Sequence, residues 1–134
     1  MGHKTNPIGI RLGITTDWQS RWFTANPKRF KTQLRADVEM RTFIMKKWKQ
    51  AGIASVQVER SAAQIRVIIE TSRPGVLIGR GGTGIEDLTR AVKVRFFPGK
   101  KTDLKIEVKE VKRFEENAML VGQQIAEQLE KRIP

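Results

Sequence analysis

The sequence predicts an α+β fold, with a three-stranded mixed sheet packed on helices behind an irregular N-terminal arm. Two observations carry this. Residues 54–60, 64–71 and 104–109 alternate apolar and polar side chains with the period of two that a strand with one dry face requires. Between and around them, apolar residues return every three or four positions, the period of an amphipathic helix.

The 134 residues suffice for one domain. Hydrophobic residues make up 39% and charged ones 30%, a balance that suits a globular chain. No apolar run approaches the roughly 20 residues of a membrane helix. The start, MGHKTNPIG, lacks the apolar core of a secretory signal, and Asn6 breaks the myristoylation pattern. With no cysteine there are no disulfides and no thiolate chemistry, which fits a reducing, cytoplasmic setting. The dominant feature is charge: 26 Lys and Arg against 14 Asp and Glu, a net +12. Twelve of the basic residues and only four acidic ones fall within the first 60 positions. Such an excess points to a polyanionic partner, and nucleic acid is the commonest. A globular protein that is merely basic is the plain alternative.

In chain order, residues 1–30 are punctuated by Gly, Pro and Asn and hold no period. Their Ile8, Ile10, Leu12, Trp18, Trp22 and Phe23 are too apolar for a solvated tail, so the arm is expected to pack on something. Core packing is favoured over base stacking for both Trp18 and Trp22. A helix is expected over 31–51, with Leu34, Val38, Met45 and Trp48 on its apolar side and Gly52 as its stop. Strands follow at 54–60 and 64–71. Pro74 suits the first turn of a short helix that ends at Gly79. Thr83 and Glu86 then have the spacing of a capping box, opening a helix with Ile85, Leu88, Val92 and Phe96 on one face. Phe97-Pro98-Gly99 ends that helix. After the strand at 104–109, a last helix over 115–133 aligns Ala118, Val121, Ile125, Leu129 and Ile133, with Glu115 and Glu116 at its positive end and Lys131 and Arg132 at its negative end.

The stretch GVLIGRGGTGIEDL, residues 75–88, contains two overlapping phosphate-handling patterns. Gly79, Gly81 and Gly84 spell G-x-G-x-x-G, the dinucleotide fingerprint, with Glu107 about 20 residues further on. The surroundings oppose it. The strand that would lead into Gly79 has only three residues, the strand carrying Glu107 alternates with charges, and no second βαβ unit follows. No Gly-Lys-Ser/Thr follows either, so the phosphate loop of an NTPase is excluded. Gly79 and Gly82 also spell G-x-x-G, the loop of a KH domain. The order helix, strand, strand, short helix, glycine loop, helix, strand is that of the bacterial-type (type II) KH fold. Glycines admit a sugar-phosphate backbone, the next helix offers free N–H groups and positive dipole, and Arg80 adds charge. Ile78, Ile85 and Leu88 are candidate walls of a groove for unstacked bases. A tight helix–helix turn would satisfy the same glycines.

The sequence also carries a specific resemblance. MGHKTNPIGIRLGI at the start, Trp22-Phe23, VER at 58–60, IRVIIETSRPGVLIGRGG at 65–82 and QLEKR at 128–132 run in order and spacing like the N-terminal part of the family of bacterial small-subunit ribosomal protein three. The resemblance implies a KH domain in the head of the small subunit, near the path by which messenger RNA enters. It implies an arm on ribosomal RNA and on neighbouring head proteins, with messenger RNA as a further partner. It divides the chain into an arm over 1–30, the KH domain over 31–113 and a C-terminal helix over 114–134. In the family that helix leads to a second domain, absent from these 134 residues, so the unwinding credited to the start of that domain does not carry over.

The candidate RNA contacts are Gly79, Arg80, Gly81 and Gly82 in the loop, Arg73 just before it, and Lys4, Arg11, Arg21, Lys28 and Arg29 in the arm. Catalysis is not expected. His3 is the single histidine and has no nucleophile or ligand cluster near it in sequence. The pairs Glu86-Asp87 and Glu115-Glu116 fall at helix starts, where the dipole accounts for them. No cofactor, metal, membrane or small-molecule substrate is expected. A stand-alone KH regulator of messenger or small RNA is the rival binding module. A nucleotide-dependent activity at 79–84 is the rival enzyme.

Overall fold

The computed structural model describes residues 1–62, 64–99 and 103–133. Its elements run α1 (Pro7–Arg11), β1 (Ser20–Arg21), α2 (Pro27–Lys47), β2 (Ile53–Arg60), β3 (Gln64–Thr71), α3 (Pro74–Ile78), α4 (Thr83–Phe96), β4 (Asp103–Glu110) and α5 (Ala118–Glu130). Short 3-10 turns occupy Lys49–Ala51, Arg80–Gly82 and Phe114–Glu116.

The sheet is mixed, as expected, but has four strands rather than three, in the order β1-β2-β3-β4. The added strand comes from the arm: Ser20 and Arg21 run parallel to β2, opposite Val58 and Glu59. β2 and β3 form an antiparallel hairpin with Val58 opposite Val67, and β4 lies parallel to β3 with Ile106 opposite Val67. Parallel neighbours need a crossover of a dozen or more residues. Here α3, the glycine turn and α4 supply it. Both helices pack against β4, the edge strand opposite β1, and the glycine loop lies in the middle of the crossover.

One core joins the layers. Met40 and Ile44 of α2 and Leu88 and Val92 of α4 meet Val58, Val67 and Ile69 of the sheet, all fully buried. Leu77 plugs α3 into the same cluster. Burying each such side chain contributes roughly 1.5–3 kcal/mol.

The helices depart from the sequence expectation in instructive ways. α2 starts at Pro27, not residue 31, because Asn26 caps it: its side chain accepts the N–H groups of Lys28 and Arg29, and Pro27 takes the first helical position. α2 ends at Lys47, a 3-10 turn follows, and Gly52 closes it in the left-handed region with φ 62°. Its buried face is Asp37, Met40 and Ile44, while Leu34 and Val38 are exposed. The expected capping box of α4 does not form. Thr83 is already helical (φ −58°, ψ −32°), and its hydroxyl donates to the carbonyl of Arg80 at 3.0 Å. α5 starts at Ala118, capped by Asn117, so Glu115 and Glu116 lie in the preceding 3-10 turn. Of its apolar side chains only Leu120 is buried; Ile125 and Leu129 face outward.

Candidate nucleic-acid interface

The glycines between α3 and α4 are of two kinds. A Cβ on Gly84 would stand 2.4 Å from the carbonyl oxygen of Leu77, and one on Gly79 would stand 2.9 Å from the amide nitrogen of Gly84. These two let α3 and α4 touch backbone to backbone. Around Gly81 and Gly82 an added Cβ would meet nothing within 4 Å, and what requires glycine there is φ, +65° and +83°. The tip of the loop is therefore bare main chain facing open space. Val76, Leu77 and Ile78 are the last residues of helix α3, so the strand that a dinucleotide fingerprint needs ahead of Gly79 is not formed.

Gly82 occupies the N-cap of α4, and no side chain accepts the first N–H groups of that helix. Asn6, Asn26 and Asn117 do this work for α1, α2 and α5. The Thr83 N–H donates to the carbonyl of Arg80 and the Gly82 N–H reaches that of Gly79 at 3.5 Å, so what the start of α4 offers beside the bare loop is chiefly its positive dipole. Arg80 at the tip is exposed and has no acidic partner among the described residues. Of the expected groove walls, Ile78 and Ile85 reach the surface in part, whereas Leu88 is fully in the core.

The other candidates lie on separate elements. Lys4 and Arg11 are exposed in the arm, and Arg11 donates to the carbonyl of Pro7 at 3.2 Å. Lys28 and Arg29 belong to the first turn of α2 rather than to the arm. Arg21 sits on β1 and is matched by two acids, Asp17 and, at 3.4 Å, Glu59. Arg73 precedes α3 at its far end from the loop and lines an open cleft of about 1020 Å³ between the end of α2 and α5. There it stands 3.9 Å from Glu127. The Lys131 ammonium, hydrogen-bonded to Glu127 at 2.6 Å, holds that carboxyl below the ordinary glutamate range, with Arg73 and Lys49 adding smaller pulls. The structure thus gathers Gly79, Arg80, Gly81 and Gly82 and leaves the remaining cations distributed.

The arm is fastened by a residue that periodicity alone assigns no role. Asp37 of α2 has no exposed surface, yet all its oxygens are used. It accepts from Trp22 Nε1 at 2.7 Å, from Ser20 Oγ at 3.3 Å and from the Arg60 guanidinium, whose Nε lies 2.9 Å away. Trp22 also packs on Phe30, ring centroids 5.3 Å apart. Trp18, in contrast, is 60% exposed and not part of the core. The sequence signal for this anchor is a lone Asp on the face of α2 that carries Met40 and Ile44.

Among the described residues no group of three or more His, Cys, Asp or Glu is placed to hold a metal, and no helix is long and apolar enough to cross a membrane. The family model for the KH domain matches residues 39–116. Relatives named small ribosomal subunit protein uS3 are 43% identical in Synechococcus sp., 44% in Bacillus thuringiensis and 46% in Caldicellulosiruptor saccharolyticus. Each comparison covers 99% of this chain, and 54%, 58% and 58% of the respective relative. The chain spans about half the length of the curated relatives it matches. Its order of elements, its glycine loop and the extent of the family match together place the chain in the KH-domain family.

Proposed function

We propose that this chain is a non-enzymatic RNA-binding constituent of the small ribosomal subunit in the cytoplasm. Its ligand is ribosomal RNA of the subunit head, near the path by which messenger RNA enters. The likeness to uS3 proteins over nearly the whole chain supports the ribosomal setting. The observation that carries the RNA contact is the bare loop: Gly81 and Gly82 present main chain to open space beside an uncapped helix start and the charge of Arg80.

The mechanism is phosphate capture. A phosphate at Gly81-Gly82 meets the positive end of the α4 dipole at close range, with no Cβ to hold it off. Arg80 adds a point of charge. Lys4, Arg11, Lys28 and Arg29, none with an acidic partner among the described residues, neutralise further phosphates along the arm and the start of α2. Such contacts position the protein and carry little sequence information. The exposed Ile8, Ile10, Ile14 and Phe23 suit the arm to neighbouring head proteins, and messenger RNA is a further partner.

Binding to single-stranded RNA is measured for the wild-type chain and for Arg80→Asp/Gly81→Asp across a range of salt. The expected result is steep weakening with salt, as counterion release requires, and at least about tenfold weaker binding by the variant. Tagged chain is expected to co-sediment with small subunits. Unchanged affinity in the variant would reduce the loop to a structural turn, and recovery with small RNAs instead of subunits would overturn the ribosomal assignment.

A further inference from the structure

The outer side of the helical layer carries a cluster that the glycine loop does not use. Phe43 of α2 stands at its centre, edge-on to Trp48 (centroids 6.1 Å, 85°) and to Phe96 of α4 (5.8 Å, 68°). Two cations lie over these rings. Lys47 Nζ is 4.9 Å from the Trp48 centroid and 5.6 Å from that of Phe43. Arg95 Cζ is 4.9 Å from the Phe43 centroid and 5.8 Å from that of Phe96. Between the helices runs an open groove of about 830 Å³, with Val94, 71% exposed, on its border.

The charge is one-sided. Neither Lys47 nor Arg95 has an acidic partner within 4.0 Å among the described residues, and the same holds for Lys46 and Lys93 beside them. Asp87 is the one acidic residue lining the groove, and it is already paired with Arg90 at 3.4 Å. Aromatic faces hold each cation in place and strip water from one side of it. Such a cation is pre-ordered for an anion, and half-buried rings beside it are stacking platforms for a base. A protein partner would need a matching acidic face and would gain little from stacking surfaces. A nucleotide supplies both a phosphate and a planar base.

We infer that the α2–α4 groove is a second contact for single-stranded RNA, in which Lys47 and Arg95 hold phosphates and Phe43 and Trp48, the rings that line it, take a base. At 1.5 Å per residue, Arg95 lies about 20 Å along α4 from the glycine loop, so the two contacts are separate. The inference rests on RNA binding as the function of the chain.

The test measures the affinity of the 134-residue chain for a short oligouridylate as a function of salt. Lys47→Gln/Arg95→Gln is expected to bind about five- to tenfold more weakly near 0.1 M salt. The slope of log K against log salt is expected to shrink by about 1.4, the value for two phosphates on a single strand. Lys47→Arg/Arg95→Lys keeps the charges and is expected to restore the slope. If the Gln pair does not fold, Lys47→Gln alone, at the exposed end of α2, carries the test with an expected slope change of about 0.7. Wild-type affinity and slope in a folded Gln variant would overturn the inference alone, leaving the cations as lids on the aromatic cluster. No RNA binding by the wild-type chain would overturn the functional reading along with it.

Discussion

The guanidinium of Arg60 closes onto the carboxylate of Asp37, a side chain with no exposed surface, and Trp22 donates its indole N–H to the same carboxylate at 2.7 Å. This contact ties β2, α2 and the arm together. Removing one partner of a buried pair strands the other charge, which costs about 3–5 kcal/mol. Asp37→Ala is therefore expected to lose stability of that order in urea unfolding, and Asp37→Asn, which retains one acceptor, to lose less. The Trp22 emission is expected to move to the red in Asp37→Ala under native conditions, because the arm loses its anchor.

Gly84 lies inside α4, where replacing glycine by alanine ordinarily adds up to about 1 kcal/mol of stability. Here the sign reverses, since the new Cβ would stand 2.4 Å from the Leu77 carbonyl oxygen. Gly84→Ala is expected to lower the melting temperature by several degrees. Gly81→Ala has open space and costs only its left-handed φ, about 1–2 kcal/mol. A larger loss at position 81 than at 84 would contradict the close approach of α3 and α4.

The strands are legible because alternation over six to eight residues leaves one register: β3 spans Gln64–Thr71 as expected, β2 begins one residue earlier, and β4 is one residue longer at each end. β1 is not, since two residues cannot show a period, and the neighbouring Trp22 is held at Asp37, 15 residues away in the chain. The face of α2 was misassigned for a related reason. A buried Asp interrupts the apolar stripe, so Leu34 and Val38 outweighed the true 37–40–44 line. Asn26-Pro27 reads as loop punctuation, yet it is a cap followed by a favoured first residue. The glycine turn was legible because its conformation is local. The pairing of Arg21 with Glu59 depends on the fourth strand and so is not legible in the sequence, whereas Asp17 lies only four residues away.

The two tryptophans of the arm are expected to behave differently. Trp18 is 60% exposed, so Trp18→Ser should leave stability within about 0.5 kcal/mol of wild type. Trp22→Phe removes a donor to a buried charge and is expected to cost about 1.5–3 kcal/mol. Acrylamide quenching of the single-substitution variants separates them: quenching is expected to persist without Trp22 and to drop without Trp18.

Glu127 titrates below the ordinary glutamate range because Lys131 donates to it. A depressed carboxyl contributes stability above its unfolded pKa and loses it as pH falls through the lowered folded value. Carbon-detected NMR titration is expected to show this low midpoint, and Lys131→Ala is expected to raise it toward the ordinary value. The group is at the surface, so the melting temperature is expected to move little between pH 7 and pH 5 on its account. A normal Glu127 midpoint in the wild type would rule out the contact with Lys131.

Asp37 lies 15 residues beyond Trp22 and 23 before Arg60 in the chain. A ribosome making this protein therefore releases Trp22 before Asp37, and Asp37 before Arg60. Until Arg60 emerges, the carboxylate that receives the arm lacks its countercharge, and β2, the strand that β1 joins, is incomplete. The arm is thus made before the residues that lock it, and it stays open to whatever RNA or protein it meets until Arg60 has emerged.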